Sequence, residues 1–298
     1  MATMLGLILS LVSAVIFGLN SVVMRRGLII GDVYPSVLIS LLFAIPYTIA
    51  VSFLTGEVWT LTNLSIMATI YFIIAGISNF LVVRYLIYMA IKLAGATVTI
   101  PIVSCDTLIT VFLGIVLLGE EFSYKLIVAA MLVVVGIVLV TSKNAHAEGE
   151  YGSFTNFKQG ILYATLAMLG LSISSITVRL GVLETNSPSL GLLISNFFAL
   201  ITCSVFLTFP KYKEEVLGIN VKAKQYFLLG AFLVTTGQLT RYVALAYVPV
   251  SLASPVINTY PLFTLILSYI FNRKIEAFNW KVLVGTPLVV IAIILAFF

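Results

Sequence analysis

Along this chain the apolar residues neither alternate nor recur at a helical period. They run on in blocks of about 20, each closed by a short polar or charged cluster. Blocks of that length match α-helices crossing a bilayer, because about 20 residues rising 1.5 Å each span its hydrocarbon core. The pattern predicts ten spans, at 4–24, 33–55, 65–90, 97–118, 123–141, 159–179, 189–209, 224–246, 251–272 and 279–298. The longest connections, 142–158 and 210–223, are too short to be domains. The fold class expected is an all-α integral membrane protein.

Composition agrees: 61% of the 298 residues are hydrophobic and 9% charged, against about 25% charged in a soluble domain. The net charge of +5 does not imply nucleic acid, since the basic residues sit at span ends rather than in a patch. Alternating loops put Arg25, Arg26, Lys92, Lys143, Lys158, Lys211, Lys213, Lys222, Lys224, Arg273, Lys274 and Lys281 on one side, against Lys125 and Arg179 on the other. The basic-rich side is expected to face the cytoplasm, which leaves both termini non-cytoplasmic in the cell (plasma) membrane. The opening "MATMLGLILSLVSAVIFG" lacks the basic start and small-residue cleavage site of a signal peptide, so it reads as a retained first span.

Several chemistries drop out. Cys105 and Cys203 lie within spans, and no Cys/His cluster has metal-ligand spacing. There is no phosphate-binding glycine loop. His146 is the only histidine and falls in a loop, which removes serine–histidine catalysis within the membrane. A single deep carboxylate argues against an intramembrane aspartyl enzyme, and no ring of charges suggests a channel filter. The expectation is a protein that is not an enzyme and needs no cofactor or metal.

Sliding the chain along itself by 154 residues reveals a repeat without gaps: Gly6 meets Gly160, Ser21 meets Ser175, Arg25 meets Arg179 and Gly27 meets Gly181. The register continues through Gly76 with Gly230, Tyr88 with Tyr242, Pro101 with Pro255 and Thr110 with Thr264. Glycine, proline and arginine at one offset carry more weight than shared leucine. The halves, 1–145 and 155–298, hold five spans each. Five is odd, so the second half enters the membrane inverted, a plan common among secondary transporters. "FGLNSVVMRRG" and "LSISSITVRLG" are then one helix ending seen from opposite faces.

The stretches "FGLNSVVMRRG", "AIKLAGATVTIP" and "LLGEEFS", with "ALAYVPVSLASPVINTYPLFTLILSYIF" in the second half, resemble the EamA branch of the drug/metabolite transporter superfamily. The resemblance covers nearly the whole chain. It implies ten helices, inverted repeats, a central cavity and alternating access for a small organic solute. The family commonly carries Gly-Glu after the ninth span as after the fourth. Here Asn272, Arg273 and Lys274 stand there, so a role for Glu120 has no counterpart in the second half.

Ionisable groups inside a bilayer are costly and so are candidates for function. Asp106, in mid-span five residues after the helix-breaking Pro101, reads as a proton-coupling carboxylate, a partner for a substrate amine, or a carboxylate satisfied by its neighbours. Arg84 and Arg241 can pair with Asp106, receive a substrate carboxylate, or snorkel to the headgroups. Arg25 and Arg179, closing the first and sixth spans, suit gates or interfacial anchors. Asn20, Ser21, Ser172, Ser174 and Ser175 before them line a cavity or allow close helix approach. In "SPVINTYP", Pro255 and Pro261 flank Asn258, Thr259 and Tyr260, and Tyr260 aligns with Asp106. With Gln238, these form the expected contact region. Tyr88 and Tyr242 stack on a solute or pack.

The resulting expectation is a secondary transporter or exporter of small organic metabolites, amino acids among them, rocking its halves about a midplane site. A flippase of a lipid or lipid-linked carrier is the alternative. The partners are a small-molecule substrate, the lipid bilayer and protons as a candidate coupling ion.

Overall fold

A computed structural model describes residues 2–110, 154–248, 250–276, 278 and 280–297, with scattered helical residues, singly or in pairs, between 112 and 139. Its described elements are helical. They are α1 (Ala2–Ile30), α2 (Val33–Leu54), α3 (Ile66–Ala94), α4 (Ala96–Thr110), α5 (Phe154–Thr185), α6 (Pro188–Val205), the short α7 (Pro210–Leu217), α8 (Val221–Tyr247), α9 (Val250–Ile257), α10 (Tyr260–Phe271) and α11 (Trp280–Phe297). Among the described residues, seven helices are long and apolar enough to cross a membrane, and shorter apolar helices lie at Ala96–Thr110 and Trp280–Ala292. The chain is an all-α multi-pass membrane protein built from two repeats. The expected fifth span and the far part of the fourth, with Glu120, fall largely outside the described residues.

Two helix ends differ from expectation. α1 and α5 do not stop at Arg25 and Arg179 but continue to Ile30 and Thr185. The arginine heads are satisfied laterally by neighbouring carbonyls, so the helix need not end to let them reach water.

The halves are packed crosswise. A methyl group added at Gly6, near the start of α1, would stand 2.7 Å from Val248 at the end of α8, and one at Gly31 would stand 2.8 Å from Ala223 at its start. α1 and α8 are therefore antiparallel. The same relation recurs in the mates, with Gly160 of α5 against Ala94 at the end of α3. Glycine here lets backbones approach where no hydrophobic driving force exists between helices in lipid. The strongest case is Gly76 in α3, whose added methyl would lie 2.2 Å from the backbone oxygen of Ser195 in α6. At that approach α3 widens into a π-helical segment, Gly76–Val83, a distortion often found at functional sites.

The repeat is also visible in hydrogen bonds. Arg25 donates to the Ile91 carbonyl at 2.6 Å, and its mate Arg179 donates to Leu245, the mate of Ile91. Leu245 lies near the end of α8 that meets Gly6, whereas Ile91 lies near the end of α3 that meets Gly160. The two arginines thus sit at opposite ends of the bundle.

Candidate functional site

Pro101 and Pro255 lack the N–H that would continue their helices, and each is followed three residues later by a break. The breaks, at 104–105 and 258–259, are repeat mates. They share their bonding: Cys105 N–H donates to Ile102 O at 3.2 Å and Leu108 N–H to Cys105 O at 3.1 Å. Correspondingly, Thr259 N–H donates to Val256 O at 3.2 Å and Leu262 N–H to Thr259 O at 3.0 Å. Hydroxyls add a side-chain bond at each break, Ser104 donating to Pro101 O and Thr259 to Val256 O, both at 2.8 Å. After each break the chain re-enters a helix, beginning with Asp106 in one half and Tyr260 in the other. Pro261 fits the first turn of α10, where an absent N–H costs nothing.

The breaks face one another. Asn258 donates through Nδ2 to Asp106 Oδ1 at 3.0 Å and to the Thr107 hydroxyl, and Ser172 of α5 donates to the Asp106 carbonyl at 3.1 Å. Around this junction lies a cavity of about 100 Å³. Its wall comes from α1 (Phe17, Asn20, Ser21), α3 (Asn79, Arg84, Ile87, Tyr88), α4 (Ile100, Asp106), α5 (Leu171, Ser175), α8 (Val234, Gln238, Arg241) and the α9–α10 region (Ser254, Ile257, Asn258, Tyr260). The first, third and fourth helices of one half meet their mates from the other. α2 and α6 contribute nothing to this wall.

Among the described residues, two arginines and one aspartate bring charge to the cavity wall. Arg84 is buried, donates to the Ser40 hydroxyl of α2 at 2.8 Å and lies 5.0 Å above the Phe80 ring. Arg241 is equally buried and donates to the Ser175 hydroxyl at 2.8 Å and to the Gln238 side-chain oxygen at 3.4 Å. Neither snorkels. Among the described residues neither forms a salt bridge with Asp106; the ion pairs are Arg25–Glu276 and Lys92–Asp32. The wall also holds a buried polar atom without a hydrogen-bond partner, Asn79 Nδ2.

Of the residues singled out from sequence, Asn20, Ser21, Arg84, Tyr88, Asp106, Ser175, Gln238, Arg241, Asn258 and Tyr260 meet in this one wall. Thr259 is turned to its own helix break. Tyr242 is packed away from the cavity, donating to Ser195 Oγ at 3.4 Å and stacking with Phe80. Arg25 and Arg179 lie at the ends of the bundle, outside the wall.

Arg25 is no headgroup anchor. Beyond Ile91 it donates to the carbonyls of Lys92 at 2.8 Å and Ile275 at 3.2 Å and pairs with Glu276 at 3.3 Å. Glu276 in turn accepts from Ala96 N–H at 2.8 Å, Thr97 N–H at 3.1 Å and the Thr97 hydroxyl at 2.7 Å. It caps the N-terminus of α4, where the helix dipole favours an anion. Gly95, at φ +88, turns the chain into that cap. Arg26 joins the same end by donating to Asn272 Oδ1 at 2.7 Å.

Sequence reading missed Glu276 and Asn79. Glu276 sits in a basic-looking loop and gains its meaning only from helices about 180 and 250 residues away. Asn79 carried a usable signal, an amide inside the otherwise apolar "GISNFLVV".

The model of the EamA-like transporter family matches residues 4–142 and again 158–298. A curated relative described as an uncharacterized transporter, from Archaeoglobus fulgidus, is 23% identical over 299 residues, spanning 98% of this chain and 98% of its own. A solved structure described only as "Crystal structure of protein" shares the fold with a TM-score of 0.62 at 17% identity, covering 99% of this chain and 96% of that one.

Proposed function

The chain belongs to the EamA-like transporter family, matched in both halves, and on that premise we propose that it is a secondary carrier of a small polar organic solute. It is a membrane transporter rather than an enzyme. The observation that carries the finer reading is the cavity where the two helix breaks meet, walled by mates from both repeats. Alternating access needs a site that both halves share, so that rocking one against the other exposes it to each side in turn. Broken helices supply unpaired backbone and polar side chains at depth without exposing them to lipid.

The residues divide by role in this reading. Arg84, Arg241, Gln238, Asn258 and Tyr260 contact the solute. Asp106 carries the coupling proton or meets a substrate amine. Arg25 and Arg179 hold the two ends of the bundle. In this reading the protein lies in the cell membrane with both termini non-cytoplasmic, an orientation the charge bias of the loops supports.

Purified protein in proteoliposomes, offered a mixture of metabolites with and without a pH gradient, tests this. Protein-dependent solute accumulation supports the carrier. Movement of fluorescent lipid with no solute flux would replace it with a flippase. If Asp106 carries the proton, Asp106→Asn abolishes the response of uptake to the pH gradient. A variant that responds as the parent does removes Asp106 from coupling.

A further inference from the structure

Among the described residues the cavity wall is unbalanced in charge, and the imbalance does not depend on protonation. Both guanidiniums stay charged inside proteins. With Asp106 ionised the three groups sum to one positive charge; with it protonated they sum to two. Among the described residues, the nearest carboxylate–arginine ion pair, Arg25–Glu276, closes the end of the bundle and leaves this excess untouched.

The repeat makes the imbalance more informative. Each charged residue of the wall faces a neutral mate: Arg84 aligns with Gln238, Arg241 with Ile87 and Asp106 with Tyr260. Duplication alone would supply such groups in pairs, so the excess belongs to this cavity and not to the scaffold. The arginines are also held in place. Ser40 and Phe80 fix Arg84, while Ser175 and Gln238 fix Arg241, and every one of those partners is neutral. A guanidinium offers five donors in a fixed fork, and the described bonds use one nitrogen of Arg84 and two of Arg241. Asn79 Nδ2 adds buried donor capacity without a partner in the same wall.

Resting on the carrier reading of this cavity, we infer that the solute is a small organic anion, its acidic group or groups bound by Arg84 and Arg241. A carboxylate meets a guanidinium through two parallel hydrogen bonds and removes the unmatched charge from a site of low dielectric. A solute with two acidic groups and one ammonium complements the wall group by group, the ammonium meeting Asp106. A neutral solute leaves at least one positive charge uncompensated.

Proteoliposomes holding the full-length protein are offered glutamate, succinate, glutamine and lysine together at fixed chloride, and accumulation is read by mass spectrometry. Glutamate and glutamine match in size and differ in charge, so their ratio reports the charge requirement. The expected result is accumulation of glutamate or succinate, favoured over glutamine and lysine by about tenfold or more. Arg84→Gln and Arg241→Gln each reduce anion uptake by about tenfold or more, because a desolvated charge partner is lost. Arg84→Lys and Arg241→Lys, which keep the charge and lose the fork, retain an intermediate rate and guard against mere misfolding. Absence of anion accumulation overturns the inference. If glutamine or lysine accumulates instead, the carrier reading stands without it; if no solute of any charge accumulates in this panel or in the metabolite mixture, both fall.

Discussion

Among the described residues Arg25 and Glu276 form the more buried of the two salt bridges, with 7% and 0% of their side-chain surface exposed. Removing one partner of such a pair strands the other charge, at a cost of about 3–5 kcal/mol. Glu276→Ala is therefore expected to lower the thermal unfolding temperature markedly, and to fray the start of α4 by removing its cap. The Lys92–Asp32 pair is the control, since its side chains are 32% and 55% exposed. Asp32→Ala should change stability by no more than about 1 kcal/mol. Equal effects from the two substitutions would show that burial of Arg25 contributes little. Neither partner of this pair could be matched from the sequence, because periodicity reports a residue's own helix and says nothing about a carboxylate 251 positions away.

At the scale of elements, the spans and the repeat were legible because lipid imposes length and polarity on every helix, and glycine and proline keep their register through duplication. The breaks at 104–105 and 258–259 were legible from Pro101 and Pro255. The π segment of α3 was not. It arises where Gly76 touches the Ser195 carbonyl, a contact between different halves that no local pattern encodes. Gly76→Ala is expected to force α3 and α6 apart and to reduce the yield of folded protein sharply. Gly56→Ala tests only backbone strain, since φ is +76 there and nothing lies within 4 Å of the added methyl; its cost should be about 1–2 kcal/mol. Size-exclusion profiles and unfolding temperatures of the two variants separate the effects. A well-folded Gly76→Ala protein would mean that the approach is not required.

For the whole molecule, the crosswise packing of α1 on α8 and α5 on α3 commits the halves to opposite orientations. Asp32 follows α1 and Glu184 closes α5, and both are exposed. Cys105 and Cys203 are buried, which gives a quiet background for thiol labelling. Asp32→Cys and Glu184→Cys should react with a membrane-impermeant maleimide from opposite sides of sealed vesicles. Reaction from the same side would refute the inverted arrangement. The cavity shows how far sequence reaches at this scale: ten of its wall residues were recognisable as polar groups out of place in lipid, whereas Ile87, Ile100, Leu171 and Val234 look like any lipid-facing side chain until the helices are assembled.

The two ends of the bundle are fastened unequally. Arg25 meets a carboxylate besides its carbonyls, while among the described residues Arg179 has a carbonyl and no salt bridge. On the proposed carrier reading, the end held by the Arg25–Glu276 pair is the harder one to open, which favours one posture at equal solute on both sides. In that reading loading is quicker from the loosely fastened side, a kinetic bias that two identical halves related by a perfect two-fold axis would lack.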